Sequence, residues 1–436
     1  MNVITKTLPY LNIQNSTHKM RIALIVGGFP VTSETFIKNH VVGLINAGHE
    51  VRVYMRRPNR MTDGEEVYMK VNLKRYRYSA LIQGKKGSLK WVFNFLGATI
   101  KALFFMPSKS LQVIGKALNG RKVGLPRNPL ITWKRALPFI NSWHPDIVHC
   151  HFGTNGLFGA FLKRSGVFRA PLIVTFHGHD VHSVPQKRGF DVYKLLFQNA
   201  TQITANTHFT AESIVALGCS KHKIKIVPMG FYLHSYPQLL WEPPQKGEPF
   251  RILTVARLTE KKGLEYALEA IDVLIQRGIK LRYDIIGDGE QRALLETLIT
   301  QKKLAGYVFI LGWKSTSEVV KYMQASHLFM LPSITATNGD MEGQALVLQE
   351  AQAIGLPVVS TWHNGIPEGV RNSETGILVQ EKDSLGLANA VDTLCNQPDK
   401  MREMSKKAQL FVRGKYDQNR ITREWERLYV EACAED

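Results

Sequence analysis

Two cations, Arg257 and Lys262, and two carboxylates, Glu342 and Glu350, are the residues whose types and spacing could handle a phosphate-bearing ligand. Arg257 and Lys262 belong to ARLTEKKG, directly behind the apolar run FRILTV. Ligands of open parallel sheets gather beyond the carboxyl ends of the strands, so both side chains are expected to reach such a ligand. A planar guanidinium and an ammonium held together would neutralise a diphosphate and stabilise it as a leaving group; the alternative is a pair of surface cations. Glu342 and Glu350 stand in TATNGDMEGQALVLQEAQAIGLPVVST (335–361). A helix is expected there from about Gln344 to Ile354, closed by Gly355 with Pro357 beyond it. Glu342 then sits in the loop before the helix and Glu350 about two turns inside it. Free N–H groups at the helix start favour a phosphate beside Gly343 and Gln344, which leaves Glu342 to touch a sugar. Glu350, inside the helix, could accept both hydroxyls of a ribose, although two glutamates at this spacing also suit a solvated helix start. Gly27 and Gly28, between a strand and a helix, offer backbone N–H groups to a diphosphate, or else form a plain tight turn.

These residues need sheets to hold them, and the chain alternates strand and helix signals. MRIALIVGGFP (20–30) reads as a strand ending in the glycine pair. Thr32 or Ser33 can cap a helix that ends near Gly48, and VRVYM starts the next strand, which completes a βαβ unit. DIVHCHF (146–152), PLIVTFHG (171–178), ITAN (203–206) and IKIVPMG (224–230) continue the pattern of a parallel sheet covered on both faces. YPQLLWEPPQKGEP (236–249) carries four prolines and reads as a linker. After it FRILTVARL (250–258), LRYDIIGDG (281–289), YVFILGW, HLFMLPS and LPVVST repeat the alternation. The expected architecture is therefore α/β, with two Rossmann-like doubly wound domains facing one another across a cleft. The N-terminal domain spans 20–235, the C-terminal domain 250–414, and a helix at 415–436, patterned on Ile421, Trp425, Leu428 and Val430, packs back on the first domain.

Composition bounds the function classes. The chain has 436 residues, 44% hydrophobic and 21% charged, as expected of a soluble globular protein of two domains. Cys150, Cys219, Cys395 and Cys433 lack CxxC spacing and read as reduced cytoplasmic thiols. Residues 1–19 read as a loose extension without the apolar stretch of a secretion signal. The most apolar window, WVFNFLGATIKALFFM (91–106), is broken by Lys101 and falls short of the roughly 20 residues that span a bilayer. The net charge of +20 is concentrated between residues 56 and 135, where 18 Lys or Arg face only Asp63, Glu65 and Glu66. Interleaved Tyr76, Tyr78, Trp91, Phe93, Phe95, Phe104, Phe105 and Trp133 suit contact with anionic lipid headgroups. A merely solvated basic face and a nucleic-acid surface are the other two readings.

The motifs GGFP…SETFI (27–37), HCHFG (149–153), FHGHD (176–180), VARLTEKKG (255–263), IIGDG (285–289), LGWKS (311–315), LPSITATNGDMEG (331–343) and QEAQAIGLPVVST (349–361) together resemble the retaining GT-B glycosyltransferases of family 4. Within that family they are most similar to bacterial exopolysaccharide enzymes of the colanic-acid type. The likeness runs in order from about residue 20 to 375, leaving the basic stretch of about 56–140 without shared motifs. It implies that Arg257 and Lys262 bind the donor diphosphate, that Gly28 approaches it from the opposite domain, and that Glu350 holds the ribose. It further implies that Glu342 contacts the donor sugar, that His177 lies near the reacting carbon, and that Trp313 lies near the base. The chain departs from the family where Gln344 and Ala345 follow Glu342 and Gly343, in place of an apolar residue and then proline, and contacts beside the donor sugar are expected to differ.

By the same resemblance, a hexose passes from a nucleotide-diphosphate sugar to an acceptor, the diphosphate leaving on the face from which the acceptor hydroxyl attacks and taking its proton. The protein's part is positioning and charge stabilisation. No DxD motif and no His-rich cluster suited to a metal-bound diphosphate is visible in the sequence, so no metal or cofactor is expected. The acceptor is expected to be a lipid-linked oligosaccharide at the inner face of the cytoplasmic membrane, with the basic aromatic stretch holding the enzyme there as a peripheral protein. A GT-B-like nucleotide-sugar epimerase would share the sheets and glutamates. A nucleic-acid-binding protein would explain the charge but leaves acidic residues in a cleft where they repel phosphate backbones.

Overall fold

In the computed structural model, residues 19–31, 34–56, 67–78, 89–118, 129–140 and 143–435 are described. The expected helix caps Thr32 and Ser33, and the acids Asp63, Glu65 and Glu66, lie outside them. The first strand, β1 (Arg21–Val26), shows how a parallel sheet comes to be covered on both sides. Its side chains alternate, so Ala23 and Ile25 enter one core while Ile22, Leu24 and Val26 enter another. β2 (Glu50–Met55) lies beside it in parallel, after helix α1 (Thr35–Asn46). A small hairpin, β3 (Val67–Tyr68) with β4 (Val71–Asn72), precedes β5 (Arg77–Tyr78). Three helices follow: α2 (Leu89–Phe105), α3 (Pro107–Leu118) and α4 (Pro129–Ala136). The sheet resumes with β6 (Ile147–His151), then helix α5 (Gly153–Arg164), β7 (Leu172–Phe176), β8 (Gln202–Ala205) and β9 (Ile224–Ile226). Its order is β5-β2-β1-β6-β7-β8-β9.

The second sheet holds β10 (Phe250–Val255), β11 (Leu281–Ile286), β12 (Val308–Ile310), β13 (Leu328–Leu331), β14 (Val358–Thr361) and β15 (Gly376–Val379), in the order β12-β11-β10-β13-β14-β15. All its pairings are parallel. Strand order reverses between β1 and β6 in one sheet and between β10 and β13 in the other. Such reversals open crevices at the carboxyl ends of the strands, so the loops after β1, β10 and β13 are where a ligand finds room.

The C-terminal segment is two helices, Pro398–Tyr416 and Gln418–Glu435, interrupted where Asp417 adopts an extended conformation. The second crosses to the first domain. Ile421, Trp425, Leu428 and Tyr429 share the core of Ile22, Leu24 and Val26. Close approach is possible because α1 presents Gly43, whose absent Cβ would stand 2.3 Å from Thr422 Oγ1. Val430, expected on the packed face, is exposed, and Tyr429 takes the buried place. Phe231 ties the crossing down: its N–H donates to the Tyr416 carbonyl (3.1 Å) and its carbonyl accepts from the Gln418 N–H (2.9 Å). No helix among the described residues is long and apolar enough to cross a membrane.

Candidate active site

Lys262 ends a short 3-10 turn, Glu260–Lys262, directly behind β10. Gly263 follows at φ 62°, and a Cβ there would stand 2.0 Å from the Pro332 carbonyl oxygen. Only glycine allows the β10 loop to nest this tightly against the loop after β13. The nesting brings Lys262 Nζ to 2.8 Å from Glu342 Oε2, while Lys261 Nζ lies 3.4 Å from Glu342 Oε1 and 3.2 Å from Asp340 Oδ2. Burial alone would raise the Glu342 carboxyl, but Lys262, Lys261 and the Lys262 hydrogen bond outweigh it and hold the group down at about 2. Burial lowers the Lys262 ammonium from its ordinary value, against the pull of Glu342. Glu342 therefore stays ionised. Its backbone is fixed as well: Glu342 N–H donates to His363 Nε2 (3.1 Å), and His363 Nδ1 meets Glu381 Oε1 at 2.5 Å. Arg257 is exposed and forms no ion pair among the described residues; the nearby Glu34, half-buried after β1, is pushed up to about 7 by burial despite the Arg257 charge.

The helix carrying Glu350 begins at Leu346, two residues later than expected, because Ala345 takes a left-handed conformation (φ 52°). Glu350 is thus about one turn inside the helix rather than two. It is hydrogen-bonded to Tyr236 of the linker, and burial raises its carboxyl to about 7. Gln344 stands in the turn just before this helix, where its backbone N–H is expected to meet a phosphate beside Gly343. Its side chain is spent on the other domain: Met229 N–H donates to Gln344 Oε1 (2.7 Å), and Gln344 Nε2 donates to the Met229 carbonyl (2.9 Å). Only its backbone remains for an anion.

Opposite this loop stands the end of β7. His177 precedes a short helix, Gly178–Val181, and its N–H donates to Asp180 Oδ2 (3.1 Å). A Cβ on Gly178 would lie 3.1 Å from both Gly343 N and the Met341 carbonyl oxygen, so the loops of the two domains meet here. The His177 ring packs against Phe36 and Phe152, each 4.7 Å between centroids, and its buried Nε2 has no hydrogen-bond partner among the described residues. Burial and then His151 hold its pKa well below the usual imidazole range, so His177 is neutral and can offer an uncharged hydrogen bond. Trp313 follows β12 and is 63% exposed, with its indole face open to solvent or to a stacking partner. Gly27 has open space where a Cβ would stand, and Gly28 follows it in the half-buried turn behind β1.

The fold also assembles a histidine cluster that sequence reading did not anticipate. Ring nitrogens of His40, His149 and His151, from α1 and β6, lie within 4.8 Å of one another. They are engaged with protein partners: His40 Nδ1 meets His151 Nε2 (2.9 Å), Tyr429 OH meets both His40 Nε2 (3.0 Å) and His149 Nδ1 (2.7 Å), and His149 Nε2 meets Thr175 Oγ1 (2.7 Å). The cluster joins α1, β6 and the C-terminal helix beneath His177. Lys261, Asp340, His363 and Glu381 were likewise missed; the Lys261–Lys262 doublet was the one local signal for any of them.

Two family descriptions match the chain, Glycosyltransferase Family 4 over residues 33–234 and Glycosyl transferases group 1 over residues 237–411. The chain is 31% identical over 412 residues to WcaL of Escherichia coli (strain K12), a glycosyltransferase named for colanic acid biosynthesis, with 93% of this chain and 98% of WcaL covered. It is 33% identical over 373 residues to the amylovoran biosynthesis glycosyltransferase AmsK of Erwinia amylovora, covering 85% and 89%. Among solved structures, Anabaena HepE in complex with UDP-glucose superposes with a TM-score of 0.67 at 18% identity, covering 94% of this chain and 100% of HepE.

Proposed function

The chain belongs to the glycosyltransferases of group 1 and family 4, with their GT-B fold, and we propose that it transfers a hexose, with retention of configuration, from a nucleotide-diphosphate sugar to a lipid-linked oligosaccharide in exopolysaccharide synthesis. The observation that carries this reading is the meeting of the Lys262–Glu342 pair with the His177 loop across the domain boundary. Donor phosphates entering there would exchange part of the Glu342 contact for their own with Lys262, while Arg257 is free to close on them from the β10 side. The ribose falls to Glu350, Trp313 can stack on the base, and the glycine turn at Gly27 and Gly28, open where a Gly27 Cβ would stand, leaves room for the diphosphate on the opposite wall. Glu342, ionised at any physiological pH, accepts hydroxyl hydrogen bonds from the donor sugar.

In this reaction the bond from the anomeric carbon to the donor oxygen breaks, the electron pair and negative charge go to the diphosphate, and the acceptor hydroxyl forms the new bond while its proton passes to that diphosphate. Arg257 and Lys262 stabilise the charge as it develops, and neutral His177 hydrogen-bonds the sugar near the reacting carbon without adding a competing charge. With these cations in place the side chains supply what a divalent ion would otherwise give. The names of WcaL and AmsK support the exopolysaccharide setting, and HepE, crystallised with UDP-glucose, makes uridine diphosphate the first donor base to try. An acceptor of this kind is met at the inner face of the cytoplasmic membrane. The relatives' names favour neither the epimerase nor the nucleic-acid reading. The test is donor turnover with a membrane lipid extract as acceptor: transfer into the lipid fraction is expected, whereas conversion of the donor sugar without any acceptor would overturn the reading.

A further inference from the structure

Helix α2 exposes its apolar face. Leu89, Val92, Phe93, Leu96, Ile100 and Phe104 recur at helical spacing on one side, and Leu89, Phe93, Ile100 and Phe104 are between 64% and 77% exposed. Two other positions on the helix fasten it to the domain. Ala102 is buried, its carbonyl accepts from Ser110 Oγ (2.8 Å), and Trp133 Nε1 donates to Thr99 Oγ1 (3.1 Å). The outward face is thus held in place by α3 and α4, which add exposed Leu111, Leu118 and Leu130. An apolar row left this exposed on a folded domain marks an interaction surface.

Charge decides what fits it. Between Val67 and Pro145 the sequence contains 15 Lys or Arg and no Asp or Glu, and Lys101 and Lys116 are exposed on α2 and α3. A second copy of the chain would bring the same positive charge against this one. A nucleic acid would pair with the cations but gain little from a row of leucine, isoleucine and phenylalanine. An anionic bilayer satisfies both features, with acyl chains for the apolar row and headgroups for the cations. At 17 residues, α2 is about 25 Å long and suits lying in the interface rather than crossing it.

We propose that α2, supported by α3 and α4, lies in the plane of an anionic membrane with Leu89, Phe93, Leu96, Ile100 and Phe104 inserted below the headgroups. This deepens the reading of a lipid-linked acceptor. Vesicle binding is measured without donor or acceptor, however, so the two can fail separately. The experiment is co-sedimentation of the full chain with vesicles of phosphatidylcholine containing about one third phosphatidylglycerol, and with phosphatidylcholine alone. The wild type is expected to bind the anionic vesicles, and to do so less as salt is raised. A triple variant, Phe93→Ser with Ile100→Ser and Phe104→Ser, is expected to bind about tenfold or more weakly while keeping its melting temperature and its affinity for nucleoside diphosphate. The proposal is overturned if the wild type ignores anionic vesicles, if the triple variant binds as the wild type does, or if the variant turns a soluble dimer into a monomer, which would show a second copy covering the face. Tight DNA binding without vesicle binding would equally overturn it.

Discussion

Lys262 Nζ stands 2.8 Å from Glu342 Oε2, a buried ammonium and a largely covered carboxylate brought together from loops 80 residues apart in sequence. Their coupling gives the first prediction. If Lys262 holds the donor diphosphate, Lys262→Ala should lower kcat/KM by about 10- to 100-fold, since a charged hydrogen bond contributes about 1.5–3 kcal/mol. Glu342→Gln should cost activity by a different route, because it leaves Lys261 and Lys262 buried with less compensation and lowers stability by about 3 kcal/mol. The double variant should be less unstable than the two losses summed; full additivity in denaturation would show that the pair is not coupled.

Glu350 supplies the pH dependence. Its carboxyl is raised to about 7 by burial, so donor affinity should climb as pH rises through 7 and the group becomes a better acceptor for ribose hydroxyls. Stability moves the other way. An acid raised in the folded state binds more protons folded than unfolded, so its contribution is whole below the ordinary glutamate range and is lost as pH rises through about 7. Glu350→Gln should therefore gain melting temperature relative to wild type more at pH 8 than at pH 5, and should flatten the pH profile of donor binding. A variant profile parallel to the wild type would remove Glu350 from both roles.

Gln344 is expected to matter for joining the domains. Gln344→Ala leaves the half-buried Met229 N–H and carbonyl without their partner, a loss of about 1–3 kcal/mol for the two bonds, readable as a melting temperature lower by several degrees. Unchanged melting would mean that water replaces both bonds at no cost.

If side-chain cations neutralise the diphosphate, chelation should not stop turnover. Activity measured after exhaustive treatment with EDTA should stay within about twofold of the untreated enzyme, whereas loss restored by added magnesium or manganese would assign the neutralising charge to an ion.

The alternation of strands and helices, the proline-rich linker and the loops after β10 and β13 were legible because their signals are local: apolar periodicity, glycine, proline. Arg257, Lys262, Glu342 and Glu350 are candidates because strand ends are readable from such signals. What escaped reading depends on residues far apart in the chain. His40 and His149 meet Tyr429, and His151 meets His40, only because α1, β6 and the last helix converge, and nothing in HCHFG announces these partners. The Gln344 side chain pairs with Met229, 115 residues away, and no local signal announces that contact. The helix start at Leu346 was misplaced because alanine gives no hint of a left-handed turn at Ala345. The run at 91–106 is legible as apolar and too short to span a bilayer, but which of its sides faces outward depends on where Thr99 and Ala102 dock, and composition does not contain that.

The most direct test of the central claim, that the cleft residues hold a nucleotide-sugar donor, is calorimetric titration of UDP, GDP and ADP into the wild type, Lys262→Ala and Glu350→Ala. One nucleotide should bind the wild type, and both variants should bind it about tenfold or more weakly, as expected for the loss of one charged contact each. Wild-type affinity in both variants, or no binding of any diphosphate to the wild type, would contradict the assignment of this cleft as the donor site.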